Sequence, residues 1–267
     1  MKPVVSKSTI SKAGNSPEEN EDFLYILSEN SSQIDKMYCY AVTDGATESS
    51  FAKEWAELLA KSYCEGNLCD KAKFTDSFFK IQENWLQKIE SKESTLPWYA
   101  LEKAKSGAFS SLIGLKIYEQ GTWEAMAVGD SCVFQVRQEQ LITKFPIECS
   151  KEFNNCPFLI SSLNSKNSQL VQNTKFIENK WEIGDSFYLM TDALSCWFLK
   201  EYEQGNYPWL TLKDLNDKQD SNRLRDELQG NEAHTYKSEF QEKIDSLRAR
   251  KEMRNDDVTL VSIILEN

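Results

Sequence analysis

Between Leu112 and Arg137 the chain offers three short apolar or alternating segments almost without pause: Leu112 to Tyr118, Trp123 to Val128 and Cys132 to Arg137. Parallel neighbours need a crossover of about a dozen residues or more, and nothing of that length separates these segments, so antiparallel pairing is expected. Gly129-Asp130 is a Gly-X pair of the kind that closes a type II′ hairpin, and it predicts one between Trp123–Val128 and Ser131–Arg137. Further strands are predicted at Phe23 to Leu27, Met37 to Thr43, Phe187 to Thr191 and Val258 to Leu265. Helical periodicity places Phe51, Trp55, Leu58, Leu59 and Tyr63 on one stripe, with Ser49 or Ser50 as cap and Gly66 as stop. A second stripe is Phe78, Ile81, Trp85 and Ile89, begun by Thr75 or Asp76. A third helix, Ser238 to Met253, presents Phe240, Ile244 and Leu247 within a highly charged region from Lys200 to Arg254. These stripes are expected to face a core. No internal repeat and no Pro- or Gly-rich linker divides the 267 residues, so one domain, 1–267, is expected. Amphipathic helices laid on an antiparallel framework define an α+β layered sandwich.

Composition removes whole classes of function. Forty-two acids against thirty-one bases give a net charge of −11, a field that repels phosphate backbones, so no nucleic-acid partner is expected. The longest apolar run, Met37 to Val42, is far short of the roughly 20 residues that span a bilayer. The first residues lack the apolar stretch of a secretory signal. No membrane partner and a cytoplasmic location are therefore expected. Seven cysteines without a CxxC pair, several in apolar stretches (Cys39, Cys132, Cys196), read as reduced, buried thiols. The single histidine, His234, excludes zinc fingers, facial triads and H-E-x-x-H sites. No G-x-S-x-G elbow accompanies it, and Glu232-Ala233-His234-Thr235 reads as a solvated segment.

The acids are placed unevenly. Asp44 and Asp192 follow predicted strands, whereas Glu21-Asp22 and Asp256-Asp257 immediately precede them. If each pair of strands runs antiparallel, all these acids gather along one edge, and Asp130 in its turn can join them. Carboxylates so close repel one another unless a cation neutralises them. Without histidine the fitting cations are hard and oxygen-seeking, magnesium or manganese before zinc. Gly45, lacking Cβ, would let its carbonyl approach an ion. Two ions about 4 Å apart could ionise a water and clamp a phosphoryl oxygen. Asp and Gly are also ordinary turn formers at strand ends, so spacing alone leaves both readings open.

The segments Asn20-Glu21-Asp22-Phe23, Ala41-Val42-Thr43-Asp44-Gly45-Ala46, Ala127-Val128-Gly129-Asp130-Ser131, Leu189-Met190-Thr191-Asp192-Ala193-Leu194 and Asn255-Asp256-Asp257-Val258-Thr259-Leu260 resemble, in order, the motifs of the type 2C (PPM) metal-dependent protein phosphatases, in a divergent bacterial-type form. The resemblance implies a four-layer α-β-β-α sandwich, two mainly antiparallel sheets flanked by helices, with a two-metal centre at one end. Carried over, Asp44 would bridge two manganese or magnesium ions, the Gly45 carbonyl would bind one, and Asp192 with Asp256 would hold the other. Asp256 rather than Asp257 matches the family's ligand position. Glu21 would act through metal-bound water, and Asp130 matches an acid that helps hold a third, weaker ion in bacterial relatives. The implied reaction is hydrolysis of phosphoserine or phosphothreonine by a metal-bridging hydroxide, without a covalent intermediate. The implied partners are a phosphoprotein substrate and a serine/threonine kinase.

The departures from the pattern matter as much. The family's phosphate-gripping arginine, four positions before Glu21, is here Pro17, and no arginine precedes Arg137. The usual D-G-x-G-G-H turn reads Asp44-Gly45-Ala46-Thr47-Glu48-Ser49, Ala193 replaces a glycine, and Cys132 stands where an arginine often follows G-D-S. Ligand positions are kept while phosphate-gripping groups are lost. Two readings follow: a phosphatase that holds phosphate with Lys12 or Lys7, or a phosphatase-like module that binds a phosphoprotein or kinase without hydrolysing it. The polar, turn-rich segment Pro146 to Gln172 falls where the resemblance implies a variable flap, and it is expected to be a surface loop that selects substrates.

Overall fold

The computed structural model describes residues 1–28, 36–47, 51–68, 74–92, 98–154, 156–216 and 238–267. Two five-stranded antiparallel sheets stack face to face. The first has the order β1 (Lys2–Ile10), β12 (Val258–Glu266), β11 (Ser186–Met190), β7 (Cys132–Arg137), β8 (Gln140–Phe145). The second runs β10 (Lys175–Lys180), β6 (Thr122–Val128), β5 (Leu112–Tyr118), β3 (Met37–Thr43), β2 (Phe23–Ser28). A short pair, β4 (Phe109–Ser110) with β9 (Ile160–Ser161), lies apart from both. The described helices are α1 (Ala52–Cys64), α2 (Phe74–Glu90), α3 (Trp98–Ala104), α4 (Leu170–Asn173), α5 (Asp192–Glu203), α6 (208–216) and α7 (Glu239–Ala249).

Three apolar layers hold the sandwich, and the two-residue period of the strands feeds them. In β3, Tyr38, Tyr40 and Val42 enter the core between the sheets, while Cys39 and Ala41 face the core beneath α1 and α2. In β11, Phe187 and Leu189 point between the sheets. Tyr188 and Met190 face α5, α6 and α7. Strands buried on both faces need apolar residues at every position, which is why β3, β7, β11 and β12 read as continuous apolar runs. Phe78, Ile81, Trp85 and Ile89 of α2 are buried as their spacing requires, as are Phe240, Ile244 and Leu247 of α7. Ser238 caps α7 by accepting the Gln241 N–H at 3.1 Å. The result is the expected α+β arrangement, helices outside two antiparallel sheets.

Several expectations need correction. Gly129-Asp130 does not close a hairpin: β6 pairs with β5 and β10, β7 pairs with β11 and β8, and the link carries the chain from one sheet to the other. Gly129 adopts φ +94° there, and a Cβ would lie 2.7 Å from the Ser111 Cβ. The real β7–β8 hairpin turns through Gln138 and Glu139 at φ 48° and 60°, residues that carry no turn signature. Three long strands escape the sequence pattern: β1, β8 and β10, each at the edge of its sheet. At the start of α1 the cap position belongs to Phe51, at φ 63°, while Ser49 and Ser50 lie outside the described residues, as does His234. Cys39, Cys64 and Cys132 are buried and free, but Cys196 is half-buried and Cys156 exposed.

The segment Pro146 to Gln172 is more than a surface loop. Ile160 is fully buried, its carbonyl accepts the Trp55 indole N–H at 2.9 Å, and the Ser161 carbonyl accepts from Gln82 at 3.1 Å. The segment is thus moored to α1 and α2, with Ser161 and Ser162 buried beside Ile160. Among the described residues no helix is long and apolar enough to cross a membrane.

Candidate metal centre

Strand pairing decides which acids meet. Phe23 pairs with Thr43, so Asp22, before β2, and Asp44, after β3, emerge side by side. Met190 pairs with Leu260, and the Thr191 N–H reaches the Thr259 carbonyl at 3.2 Å, so Asp192 emerges beside Asp256 and Asp257. The two pairs come from different sheets, and the stacking of the sheets brings all of them to one end. Thr191 joins the halves: its hydroxyl donates to Asp22 Oδ2 at 3.1 Å and accepts the Thr259 N–H at 2.9 Å.

Asp256 and Asp257 have different tasks. Asp257 is buried, and its two oxygens accept the N–H groups of Lys12 at 2.7 Å and Glu21 at 2.9 Å. It therefore ties the loop after β1 and the loop before β2 to the start of β12. Asn255 adds a two-way clip to Ala13, accepting its N–H at 2.7 Å and donating to its carbonyl at 3.2 Å. Asp256 faces outward into a cleft of about 150 Å³ that is also lined by Asp44, Gly45, Asp130 and Asp192, with Asn154, Pro157 and Leu159 at its wall. Glu21 and Lys12 line an adjoining cleft, separated from the first by Thr47. Lys12 Nζ lies 3.7 Å from Glu21 and 3.1 Å from the Thr47 hydroxyl. A wider groove of about 1000 Å³ runs beside the ends of β1 and β2 and holds Asp22, not the acid cluster.

Gly45 is required for a reason the sequence does not disclose. Its N–H donates to the Glu21 carbonyl at 3.3 Å, and a Cβ would meet that carbonyl oxygen at 2.8 Å and the Ala52 backbone at 3.0 Å. The glycine lets the Glu21 loop, the Asp44 loop and the start of α1 close on one another.

The acids are electrostatically burdened. Burial, and then the carboxylates of Asp22, Asp256 and Asp130, push Asp44 well above the usual carboxylate range, with Arg254 opposing. Asp22 is pushed the same way, first by burial and then by Asp257 and Asp256. Burial raises Asp130 to about 6 against the pull of Arg254. Glu21 is raised by burial and lowered in part by Thr47 and Lys12. Three buried oxygens, Asp22 Oδ1, Asp130 Oδ2 and Asp192 Oδ1, have no hydrogen-bond partner among the described residues. Such an orphan costs about 1–3 kcal/mol and more when charged, so this end of the sandwich is short of positive charge.

The donor chemistry suits a hard divalent ion: carboxylates and a backbone carbonyl, no imidazole, no thiol. The geometry is not that of a closed cage, since among the described residues no three acids, cysteines or histidines converge tightly enough to surround one ion. What does contact the acids is Arg254. Its Nη2 pairs with Asp192 Oδ2, and its Nε lies 3.5 Å from Asp256 Oδ2. Sequence reasoning gathers Asp22 with the other acids but gives it no role, and it passes over Arg254. The only sign of Arg254 in the sequence is its position two residues before Asp256.

Comparison with known proteins agrees with this architecture. The structure is similar to the Mycobacterium tuberculosis serine/threonine phosphatase PstP/Ppp, with a TM-score of 0.59 at 13% identity, covering 99% of each chain. It is similar to the catalytic domain of PstP in complex with two manganese ions, with a TM-score of 0.55 at 14% identity over the whole of both chains. It also resembles Stp1 from Staphylococcus aureus, with a TM-score of 0.56 at 14% identity, covering 100% of this chain and 96% of that one. No family model matches the sequence, and no curated protein matches it significantly. The fold is therefore that of the bacterial serine/threonine phosphatases, carried by a sequence only 13–14% identical to theirs.

Proposed function

We propose that this protein is a metal-dependent phosphatase acting on phosphoserine or phosphothreonine in a protein substrate. The observation that carries the reading is the gathering of Asp44, Asp130, Asp192 and Asp256, from both sheets, around one cleft with unpartnered buried oxygens. Asp44, the Gly45 carbonyl, Asp192 and Asp256 would hold two ions, manganese or magnesium, with Asp130 supporting a third. Such ions supply Lewis acidity and an ionised water when bound. Glu21, its carboxyl raised by burial, would hold or release a proton from the adjoining cleft, with Lys12 at 3.7 Å from it. Lys12 is the nearest base upstream of Pro17 in the sequence, and it is the group proposed to meet substrate phosphate. Asn154, Pro157 and Leu159, from the Pro146–Gln172 segment, wall the cleft and would select among phosphoproteins, a serine/threonine kinase among them.

Pro17 favours a second reading. It opens a short 3-10 turn, Pro17–Glu19, capped by Ser16, and offers no charge to a phosphate. A phosphatase-like module that binds a phosphoprotein and turns it over slowly or not at all would show this loss. Phosphate release from p-nitrophenyl phosphate and from a phosphothreonine peptide, with and without manganese, separates the two. Manganese-dependent turnover that disappears in Asp192→Asn supports the enzyme. Peptide binding without turnover in the presence of bound manganese supports the module, and failure to bind either manganese or phosphopeptide refutes both.

A further inference from the structure

We propose that Arg254 is a built-in counter-ion that shares Asp192 and Asp256 with the divalent cation, so that guanidinium and metal occupy these acids alternately; this rests on the metal-site reading above. The guanidinium touches the two acids assigned to one ion, Nη2 on Asp192 and Nε toward Asp256. Its charge also reaches deeper, since it draws down the carboxyls of both Asp44 and Asp130. Among the described residues nothing else positively charged lines this cleft.

The arrangement is half-satisfied, and that argues for exchange rather than a permanent structural pair. With Arg254 in place, Asp192 Oδ1 and Asp130 Oδ2 remain buried without a partner among the described residues. A guanidinium carries one positive charge and is directional, and it serves one oxygen of Asp192. A divalent ion carries twice the charge and accepts oxygens from several directions at once. Arg254 has the opposite advantage of being tethered, so that it is always present at the cleft. Its side chain is 38% exposed and has solvent to swing into. Its backbone is fixed, because Asn255 is clipped to Ala13 and the Asp256 carbonyl accepts from Arg248. Exchange therefore needs only a change of side-chain rotamer.

Calorimetry of metal-free protein with manganese tests the exclusion. Arg254→Met, which keeps the stem and removes the charge, should bind manganese at least about tenfold tighter, the factor expected when a competing charged hydrogen bond is abolished. Arg254→Lys should fall between this variant and the wild type. Without metal, Arg254→Met should melt below wild type. Equal or weaker manganese affinity in Arg254→Met would overturn the exclusion and leave the metal site standing. No heat from either protein would overturn the metal site and the exclusion together. Side-chain nitrogen NMR of the wild type does not depend on a variant folding. The Arg254 Nε–H resonance, held in the metal-free protein, should shift or exchange away as magnesium is added, and an unmoved resonance alongside calorimetric magnesium binding would overturn the proposal.

Discussion

Replacing Asp130 with asparagine should stabilise the metal-free protein, and by an amount that depends on pH. Asp130 is 5% exposed, and burial moves its carboxyl from 3.8 to about 6. In the unfolded chain the group ionises near its ordinary value, so below about pH 4 it is protonated in both states and costs the fold nothing. As pH rises through that value the unfolded chain gives up the proton while the folded protein retains it, and stability falls until the folded group ionises as well. Above about pH 6 to 7 the loss is complete. A gap of about two pH units corresponds to roughly 3 kcal/mol. An asparagine side chain keeps the shape and never ionises, so Asp130→Asn should gain up to that amount at pH 7.5 and nothing at pH 3.5. For a chain of this size the gain is about 6 °C in melting temperature, at about 2 °C per kcal/mol. Thermal melts of both proteins in chelator from pH 3.5 to 8 provide the measurement. Saturating manganese should shrink the difference, since a neighbouring cation lets the carboxylate ionise cheaply. A difference in melting temperature that stays constant across this range would refute the claim that a desolvated charge at Asp130 burdens the fold.

Adjacent acids should behave oppositely: Asp257→Ala removes two charged hydrogen bonds and should cost roughly 3 kcal/mol or more in urea unfolding, while Asp256→Ala, at the cleft, should cost less than about 1 kcal/mol and act on manganese affinity instead. Gly45→Ala should destabilise by about 1–3 kcal/mol, because the atoms its Cβ would strike are backbone and cannot swing aside, and equal urea midpoints would contradict that. Asp185 is fully buried and accepts from Gln135, both Nε and Nη2 of Arg137, and the Glu182 N–H. Asp185→Ala should cost about 3–5 kcal/mol while leaving manganese affinity at the distant cleft unchanged.

What can be read from the sequence follows burial. Strands covered on both faces, β3, β5, β7, β11 and β12, declare themselves as apolar runs, and the acids bracketing them can be placed relative to strand ends by pattern alone. Three of the four edge strands do not, β2 being the edge strand that the pattern does reveal. Lys2–Ile10, Gln140–Phe145 and Lys175–Lys180 carry lysines and polar residues on faces open to water, and their identity as strands depends on partners far away in sequence. Gly129-Asp130 misleads for a related reason: a tight turn looks the same whether it returns to its own sheet or crosses to the next, and only the neighbours of β6 and β7 decide. Arg254 carries no signal because a charged residue in a loop is ordinary until the fold sets it against Asp192. Pro17 is legible as a missing cation but not as the first residue of a capped turn.

The pairing of β1 with β12, from Lys2 opposite Glu266 to Ile10 opposite Val258, bears on how the molecule comes into being. During synthesis the first strand leaves the ribosome long before the last, and for that whole interval it has no sheet to join. The loops carrying Lys12 and Glu21 are fastened by Asp257, some 245 and 236 residues further on. A nascent chain thus displays Glu21, Asp22 and Asp44 early but cannot fasten the Glu21 loop until almost everything has been translated. Contacts of such long range make folding slow, and until β12 arrives the unpaired edge of β1 is a surface on which other nascent chains can add. Its lysines at positions 2 and 7, with Pro3 between them, are the residue types that discourage such addition, and they guard the strand while the acidic cleft is still unmade.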